Sequence, residues 1–172
     1  MKLILESWKH YIQESKFITA NLTPNDKVFT TPYEYTEFKP VVQKDEPAPK
    51  PNGLWYACGS EWLDFDYKVK NPKYLYKLDI DYSRVLKLTK KDIKKFEKEY
   101  LQEHPKVQDY YMINWKKVAE KYSGIEICPF MQDIHDLAIF ENLHIWYYGW
   151  DVASGCIWDR SAIKNVELLQ EI

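Results

Sequence analysis

Residues 146–159 constrain the fold more than any other stretch, because they hold three of the chain's seven tryptophans beside two glycines, two aspartates and one serine. Aromatic rings at this density fill a core or line a pocket, and glycine allows two backbones to approach closely. Aspartate and serine are the kind of polar groups that orient a ligand in an apolar pocket. The segment therefore predicts either the wall of a ligand pocket or a buried, tryptophan-rich hairpin.

The length of 172 residues fits one domain, residues 1–172, whose core is large enough to need no metal or disulfide. A net charge of -2, with acidic and basic residues mixed along the chain, gives no strong signal for duplex DNA or an anionic membrane. No apolar run approaches the roughly 18 residues of a membrane helix. Glu6 and Lys9 interrupt the first apolar residues, and no signal-peptide cleavage site follows them. We expect a soluble, cytoplasmic protein.

The cysteines and histidines are scattered along the chain. Cys58, Cys128 and Cys156 form no C-x-x-C pair, and each lies among apolar residues. This context favours three buried free thiols over disulfides. The four histidines form no H-x-x-x-H or Cys/His cluster, so no metal site is expected.

The first third of the chain divides into three parts. Residues 1–24 are an N-terminal segment with a predicted helix over 3–15, and residues 27–38 favour one or two strands interrupted by Pro32. Residues 39–53 carry four of the nine prolines among charged residues, which predicts a loop.

The core is expected over residues 53–169. Its patterns predict strands at 53–58, 74–80, 84–88 and 125–128, and helices at 90–101, 114–122 and 132–143. Along 74–80, apolar and aromatic residues at 74, 76, 78 and 80 alternate with Leu75, Lys77 and Asp79. The helix at 90–101 is expected to place Ile93, Phe96, Tyr100 and Leu101 on one face. Thr89 and Asn114 are the expected N-caps, and Gly124 suits a left-handed position at a helix end. About seven short strands with three or four helices, without strict βαβ alternation, favour an α+β fold with an antiparallel-rich sheet.

Four stretches of this core resemble the ADP-ribosyltransferase fold, a split-sheet domain that binds NAD and transfers ADP-ribose. They are the strand at 53–58, the strand and hairpin at 74–88, the helix end and strand at 121–127, and the closing strand at 154–166. The resemblance implies an ADP-ribosyltransferase-like split sheet, NAD as co-substrate, and residues 146–159 as a strand pair at the rear of the NAD cleft.

The same resemblance implies which residues contact NAD. Trp55 and Tyr56 are expected to stack on the nicotinamide, and Tyr148 to contact the ribose. On the first strand the family has a histidine or arginine that grips NAD, and Thr30 is the nearest polar residue in this chain.

The expected catalytic residues depart from the family pattern. Alignment of Asp159 with the family's aspartate on the closing strand places Ser154 where the family has its catalytic glutamate. A hydroxyl can bind ribose, but it offers no negative charge to an oxocarbenium-like transition state. Asp151, three residues away, is therefore the expected acidic stabiliser.

A second resemblance is to phage and bacterial proteins of unknown function that share the motifs KPxGLW and WYxGWDxASGCIW. Both motifs are present here, at residues 50–55 and 146–158. The first residues are also similar to those of many tailed-phage proteins. These similarities suggest a viral origin and imply no chemistry by themselves. Together with the ADP-ribosyltransferase resemblance, they lead us to expect a phage-type transferase acting on a host or phage macromolecule. Two alternatives stay open: an inactive accessory relative that binds a nucleotide, protein or nucleic acid, and a phage structural or host-interaction protein.

Overall fold

A computed structural model describes residues 22–61, 63 and 72–171, so the predicted helix over residues 3–15 lies outside the described part. The strands are β1 (Lys27–Thr31), β2 (Leu54–Cys58), β3 (Tyr74–Ile80), β4 (Val85–Lys87), β5 (Leu101–Glu103), β6 (Tyr111–Ile113), β7 (Gly124–Ile127), β8 (Ser154–Ile157) and β9 (Ile163–Glu171). The α-helices are α1 (Ile93–Tyr100), α2 (Trp115–Lys121) and α3 (Gln132–Phe140). Short 3-10 helices span Tyr82–Arg84, Ile145–Gly149 and Arg160–Ala162.

Seven strands form one sheet in the order β4-β7-β8-β2-β1-β3-β9, and β5 pairs with β6 in a second, small sheet. In the main sheet β4 and β7 run parallel, whereas the other five pairings are antiparallel. The expected α+β class with an antiparallel-rich sheet is therefore confirmed.

The main sheet curls, and this gives it an inner and an outer face. Val85 of β4 and Ile163 of β9, from the two edges of the sheet, belong to one inner core cluster. The outer face of β7, β8 and β2 packs under the helices, in a second cluster that contains Trp115, Trp146 and Trp150. The predicted alternation along β3 is confirmed, because Tyr76, Leu78 and Ile80 join the inner cluster while Leu75 joins a small cluster on the other face.

Two helix boundaries test the predicted caps. The Asn114 side chain accepts a hydrogen bond from the Lys117 amide at 3.0 Å, as expected of an N-cap. The helix predicted over residues 90–101 begins later than expected, at Ile93, because Thr89 and Asp92 close a turn ahead of it. Leu101, expected on its buried face, is instead an exposed residue of β5.

Two expectations for glycine-containing segments are wrong. Gly124 takes no left-handed conformation; it begins β7, where a Cβ would lie 2.8 Å from the Cys156 carbonyl oxygen. Close packing of β7 on β8 therefore explains this glycine better than a helix cap does. Residues 146–159 are also no strand pair, because a 3-10 helix, Ile145–Gly149, precedes the single strand β8.

Residues 39–53 form a loop, as predicted, with no helix or β-strand and one isolated β-bridge between Ala48 and Ile113. Hydrogen bonds hold this proline-rich loop against the core: the Val41 amide donates to the Trp158 carbonyl, and the Trp115 indole donates to the Ala48 carbonyl. None of the helices in the described part of the chain has the length and apolar content needed to cross a membrane.

The expectation of three free thiols is wrong for two cysteines, because Cys58 and Cys128 form a disulfide. Strands β2 and β7 flank β8 and run in the same direction, so Ala57 and Ile127 both pair with Ser154. The residue after each of these two is a cysteine, Cys58 at the end of β2 and Cys128 just past the end of β7. Both lie beside the same end of β8, with Cα atoms 6.5 Å apart. Cys156 is a buried free thiol, as expected.

Candidate functional site

The two sequence motifs meet on adjacent strands. Strand β2 of the KPxGLW region pairs with β8 of the WYxGWDxASGCIW region, with Trp55 opposite Cys156 and Tyr56 opposite Gly155. The Tyr56 ring crosses over Gly155 so closely that a Cβ there would lie 2.2 Å from the Tyr56 Cζ atom. A glycine in the second motif is therefore required by a tyrosine that follows the first.

Trp55 and Tyr56 point to opposite faces of the sheet, as consecutive strand residues do. Trp55 packs against the outer, helix-covered cluster, whereas Tyr56 is a fully buried member of the inner cluster. The two rings therefore line different compartments and do not form one stacking surface for a nicotinamide.

A group of two charged, partly exposed residues and two tryptophans joins the two motifs on the outer side, and we call it the rim site: Lys50, Trp55, Trp150 and Asp151. The Lys50 Nζ lies 3.8 Å from the Asp151 carboxylate and 5.4 Å from the centre of the Trp55 ring. Trp55 meets Trp150 edge to face, with ring centres 5.0 Å apart. A cation, a carboxylate and an aromatic ring thus converge where the first motif contacts the second.

Gly149 positions the Lys50 side chain in the rim site. A Cβ on Gly149 would come within 3.1 Å of the Lys50 Cε atom, so the aliphatic stem of the lysine lies along this glycine. The Lys50 and Asp151 side chains are 37% and 40% exposed, so both charged residues lie at the surface of the rim site.

Lys50 also lines a cavity of 210 Å³ between the proline-rich loop and α2. The cavity wall includes Lys44, His104 and the buried ring of Trp115, together with Glu46, which lies 3.2 Å from the His104 Nε2 atom. Pockets that hold a whole drug-sized ligand measure about 300–1,000 Å³. This smaller, cation-lined cavity suits part of a ligand, such as a phosphate group.

The remaining residues expected from the resemblance lie in other surroundings. Ser154 is 3% exposed, and its hydroxyl donates to the Val152 carbonyl at 3.0 Å. Tyr148 is exposed and stacks in parallel on His135 of α3, with ring centres 6.0 Å apart. Thr30 lies on β1, beyond the two residue pairs that join β1 to β2. Of the six expected residues, the structure brings Trp55 and Asp151 together through Lys50.

A second polar group, buried on the inner face, was not anticipated, and we call it the inner polar cluster: Lys27, Tyr56, Tyr82, Glu126 and the Cys58–Cys128 disulfide. The Tyr56 and Tyr82 hydroxyls both donate to Glu126 Oε2, at 3.0 and 2.6 Å. The Lys27 Nζ lies 3.5 Å from the same oxygen, and the Lys27 and Glu126 side chains are only 11% and 6% exposed. The carboxylate therefore has a counter-ion and two hydrogen-bond donors inside the curl of the sheet.

Lys27 connects the carboxylate to the disulfide. Its ammonium donates to the Pro24 carbonyl and to the Cys58 sulfur, each at 3.1 Å. Burial raises the pKa of Tyr56 well above its ordinary value, and the nearby Glu126 charge raises it further. Burial and the hydrogen bond to Glu126 likewise raise the pKa of Tyr82. Both phenols therefore remain neutral donors at physiological pH.

The sequence around Glu126 contains a pattern that indicates a functional or structural role, although neither motif includes this residue. It is the one charged residue in β7, whose other residues are glycine and two isoleucines, and all four are buried. A charged residue inside a buried strand requires partners, because an isolated buried charge is very unfavourable. That pattern identifies Glu126 as a residue of interest, although it cannot name Lys27 or the tyrosines as its partners.

Comparison with known protein families, with curated proteins and with solved structures gives no match to this chain.

Proposed function

We propose that the protein is an NAD-dependent ADP-ribosyltransferase that acts on a host or phage macromolecule. The observation that carries this proposal is the rim site, in which Lys50 joins the Asp151 carboxylate to the Trp55 ring. It gathers two of the residues that the family resemblance assigns to NAD chemistry, and it does so at the contact between the two motifs.

In this proposal the Trp55 ring and the Asp151 carboxylate act on the nicotinamide ribose end of NAD. The bond from the ribose to nicotinamide breaks as an oxocarbenium-like transition state forms, and a carboxylate beside the developing positive charge stabilises it. A nucleophile of the acceptor then bonds to the same carbon. Ser154 is a positioning residue, because its bond to the Val152 carbonyl stabilises the turn that follows Asp151.

Lys50 and the adjacent cavity bind the rest of the co-substrate in this proposal. The pyrophosphate carries negative charge, and Lys44, Lys50 and His104 are basic residues that line the cavity. Glu46 and Asp151 offset part of this charge, so binding is expected to weaken as the salt concentration rises.

Nicotinamide release and thermal unfolding in the presence of NAD test the proposal. NAD is expected to raise the melting temperature, since a ligand that binds the native state stabilises it. Asp151→Asn should lower nicotinamide release about 10²–10³-fold, the usual cost of losing one transition-state-stabilising group. Asp133→Asn is the matched control, because Asp133 also forms an exposed ion pair, with Lys90 on the surface. The proposal fails if NAD neither stabilises the protein nor is consumed.

A second candidate function, a partner-binding accessory protein, is favoured by exposed apolar side chains around α3. Phe140 is 79% exposed, and Ile139, Leu143 and Tyr148 are exposed close to it in the chain. Exposed apolar side chains that lie together are typical of protein-binding surfaces. A photo-crosslinking residue at position 140 should then capture a partner from host cells, whereas one at Lys94, on the exposed side of α1, should not.

A further inference from the structure

The inner polar cluster contains a set of metal-binding donor atoms. The Cys58 and Cys128 sulfurs and a Glu126 carboxylate oxygen all lie within 4.8 Å of one another. We propose that reduction of the Cys58–Cys128 disulfide creates a site for one zinc ion, bound by the two thiolates and the Glu126 carboxylate. This inference is independent of NAD binding, because the cluster lies on the opposite face of the sheet from Trp55.

The strand arrangement holds the donors at a suitable spacing. Zinc–sulfur and zinc–oxygen bonds of about 2.3 and 2.0–2.2 Å place tetrahedral sulfur and oxygen donors about 3.5–3.8 Å apart. The disulfide holds its sulfurs closer than this, and reduction lets them separate to van der Waals contact. Cys58, Glu126 and Cys128 lie at the ends of β2 and β7, which β8 holds on either side. The backbone positions therefore need little change.

The balance of charge favours a divalent cation. In the disulfide form Lys27 and Glu126 neutralise each other. Loss of both thiol protons on metal binding adds two negative charges in a region where uncompensated charge is costly. One Zn²⁺ ion restores neutrality with Lys27 still in place. Thiolate donors also favour zinc over magnesium or calcium, which prefer oxygen ligands.

The surrounding side chains already orient the donors. Lys27 donates to the Cys58 sulfur, and the Tyr56 and Tyr82 hydroxyls donate to Glu126. Hydrogen bonds of this kind hold metal ligands in place and are worth about 10–100-fold in metal affinity. Cys128 is only half-buried, whereas Cys58 is 3% exposed, so both the reductant and the metal reach the site from the Cys128 side.

The chemistry balances with a dithiol as the reductant. A dithiol attacks the Cys128 sulfur, the Cys58 sulfur leaves as a thiolate, and the second thiol closes the reductant's own disulfide to release Cys128. Two electrons pass to the protein, and the reductant is oxidised. Zinc then replaces two protons on the cysteine sulfurs. In a reducing compartment the dithiol form is the one that persists.

Co²⁺ is a spectroscopic probe for the site, since thiolate coordination gives an intense near-ultraviolet band. Reduced wild-type protein is expected to bind one Co²⁺ with this band and to lose it on addition of Zn²⁺, whereas the disulfide form should give no band. Both forms have the same sequence, so no substitution contributes to the difference, and circular dichroism checks that the reduced form stays folded. Zn²⁺ should also raise the melting temperature of the reduced form alone.

Variants then identify the ligands. Cys128→Ser should abolish the Co²⁺ band, and Tyr82→Phe should weaken Co²⁺ binding about 10–100-fold. Cys156→Ser is the matched control, because Cys156 is a buried cysteine of the outer cluster and should leave the band unchanged. The proposal is overturned if reduced wild-type protein gives no band, or if the band survives in Cys128→Ser.

Discussion

Two lysine–carboxylate pairs lie on opposite faces of the same sheet, and they differ in how deeply their side chains are buried. Lys50 and Asp151 are 3.8 Å apart with both side chains more than a third exposed. Lys27 and Glu126 are 3.5 Å apart and almost completely buried. Exposed pairs contribute little to stability, because solvent and salt screen their charges. Buried pairs are costly to break, because the remaining charge has no partner. The outer pair therefore suits binding, and the inner pair is committed to the fold unless the disulfide is reduced.

The largest expected effect comes from breaking the inner pair. Lys27→Met leaves the buried Glu126 carboxylate without its counter-ion and should lower the free energy of unfolding by about 3–5 kcal/mol. Chemical denaturation at neutral pH measures this loss. Lys77→Met is the matched control, because Lys77 pairs with Asp26 but is 43% exposed. Equal losses in the two variants would show that burial does not distinguish the pairs.

A pair of glycine variants gives the next largest effect. Gly155→Ala drives a methyl group into the buried Tyr56 ring, which is held by Glu126, and should cost about 1–3 kcal/mol. Gly149→Ala meets the flexible Lys50 side chain at 3.1 Å, which can move away. Its effect on stability should be smaller, as measured in the same denaturation series. If Gly149→Ala lowered the free energy of unfolding more than Gly155→Ala, the inner face would not be the more tightly packed of the two.

Asp26 and Lys77 form a third pair, which acid titration can test. The Lys77 ammonium at 2.6 Å, with hydrogen bonds from Thr23, lowers the pKa of Asp26 from 3.8 to about 2. A carboxyl group with a lowered pKa stabilises the fold above its unfolded-state pKa, and this stabilisation is lost as the pH falls through the folded value. Unfolding experiments should show the loss between about pH 4 and pH 2. Asp26→Asn should reduce the dependence of the free energy of unfolding on pH between about pH 4 and pH 2. An unchanged dependence would show that Asp26 is not the group whose pKa is lowered.

The smallest effect is expected at the outer pair. Lys50→Met should change the free energy of unfolding by less than about 1 kcal/mol, because both charges are hydrated and screened by salt. The same variant should weaken NAD binding clearly in a calorimetric titration, because it removes a cation from the rim site. A stability loss as large as that of Lys27→Met would mean that the rim site is structural.

Much of the local structure was predictable because it depends on neighbours along the chain. The alternation of Tyr76, Leu78 and Ile80 with polar residues indicated the two faces of β3. The Asn114 cap needed only the residues that follow it. The α+β class followed from the number and order of such elements.

The candidate sites were harder to predict because they depend on which strands become neighbours. Cys58 and Cys128 are separated by 70 residues and meet only because β2 and β7 flank β8. The hydrophobic periodicity of a sequence does not reveal the order of strands in a sheet. The same limitation hid the contact of Lys27 with Glu126. The family resemblance named Trp55 and Asp151, and the pairing of β2 with β8 brings their two motifs together.

The central position of β8 has a consequence for synthesis on the ribosome. Residues 154–157 lie between β7 and β2, and residues 163–171 pair with β3, so the sheet stays open until this late part of the chain emerges. Until then β2 and β7 have unpaired edges facing the gap that β8 fills, and such edges favour aggregation. Nascent chains stalled before residue 154 should therefore bind chaperones more strongly than chains that extend beyond residue 171.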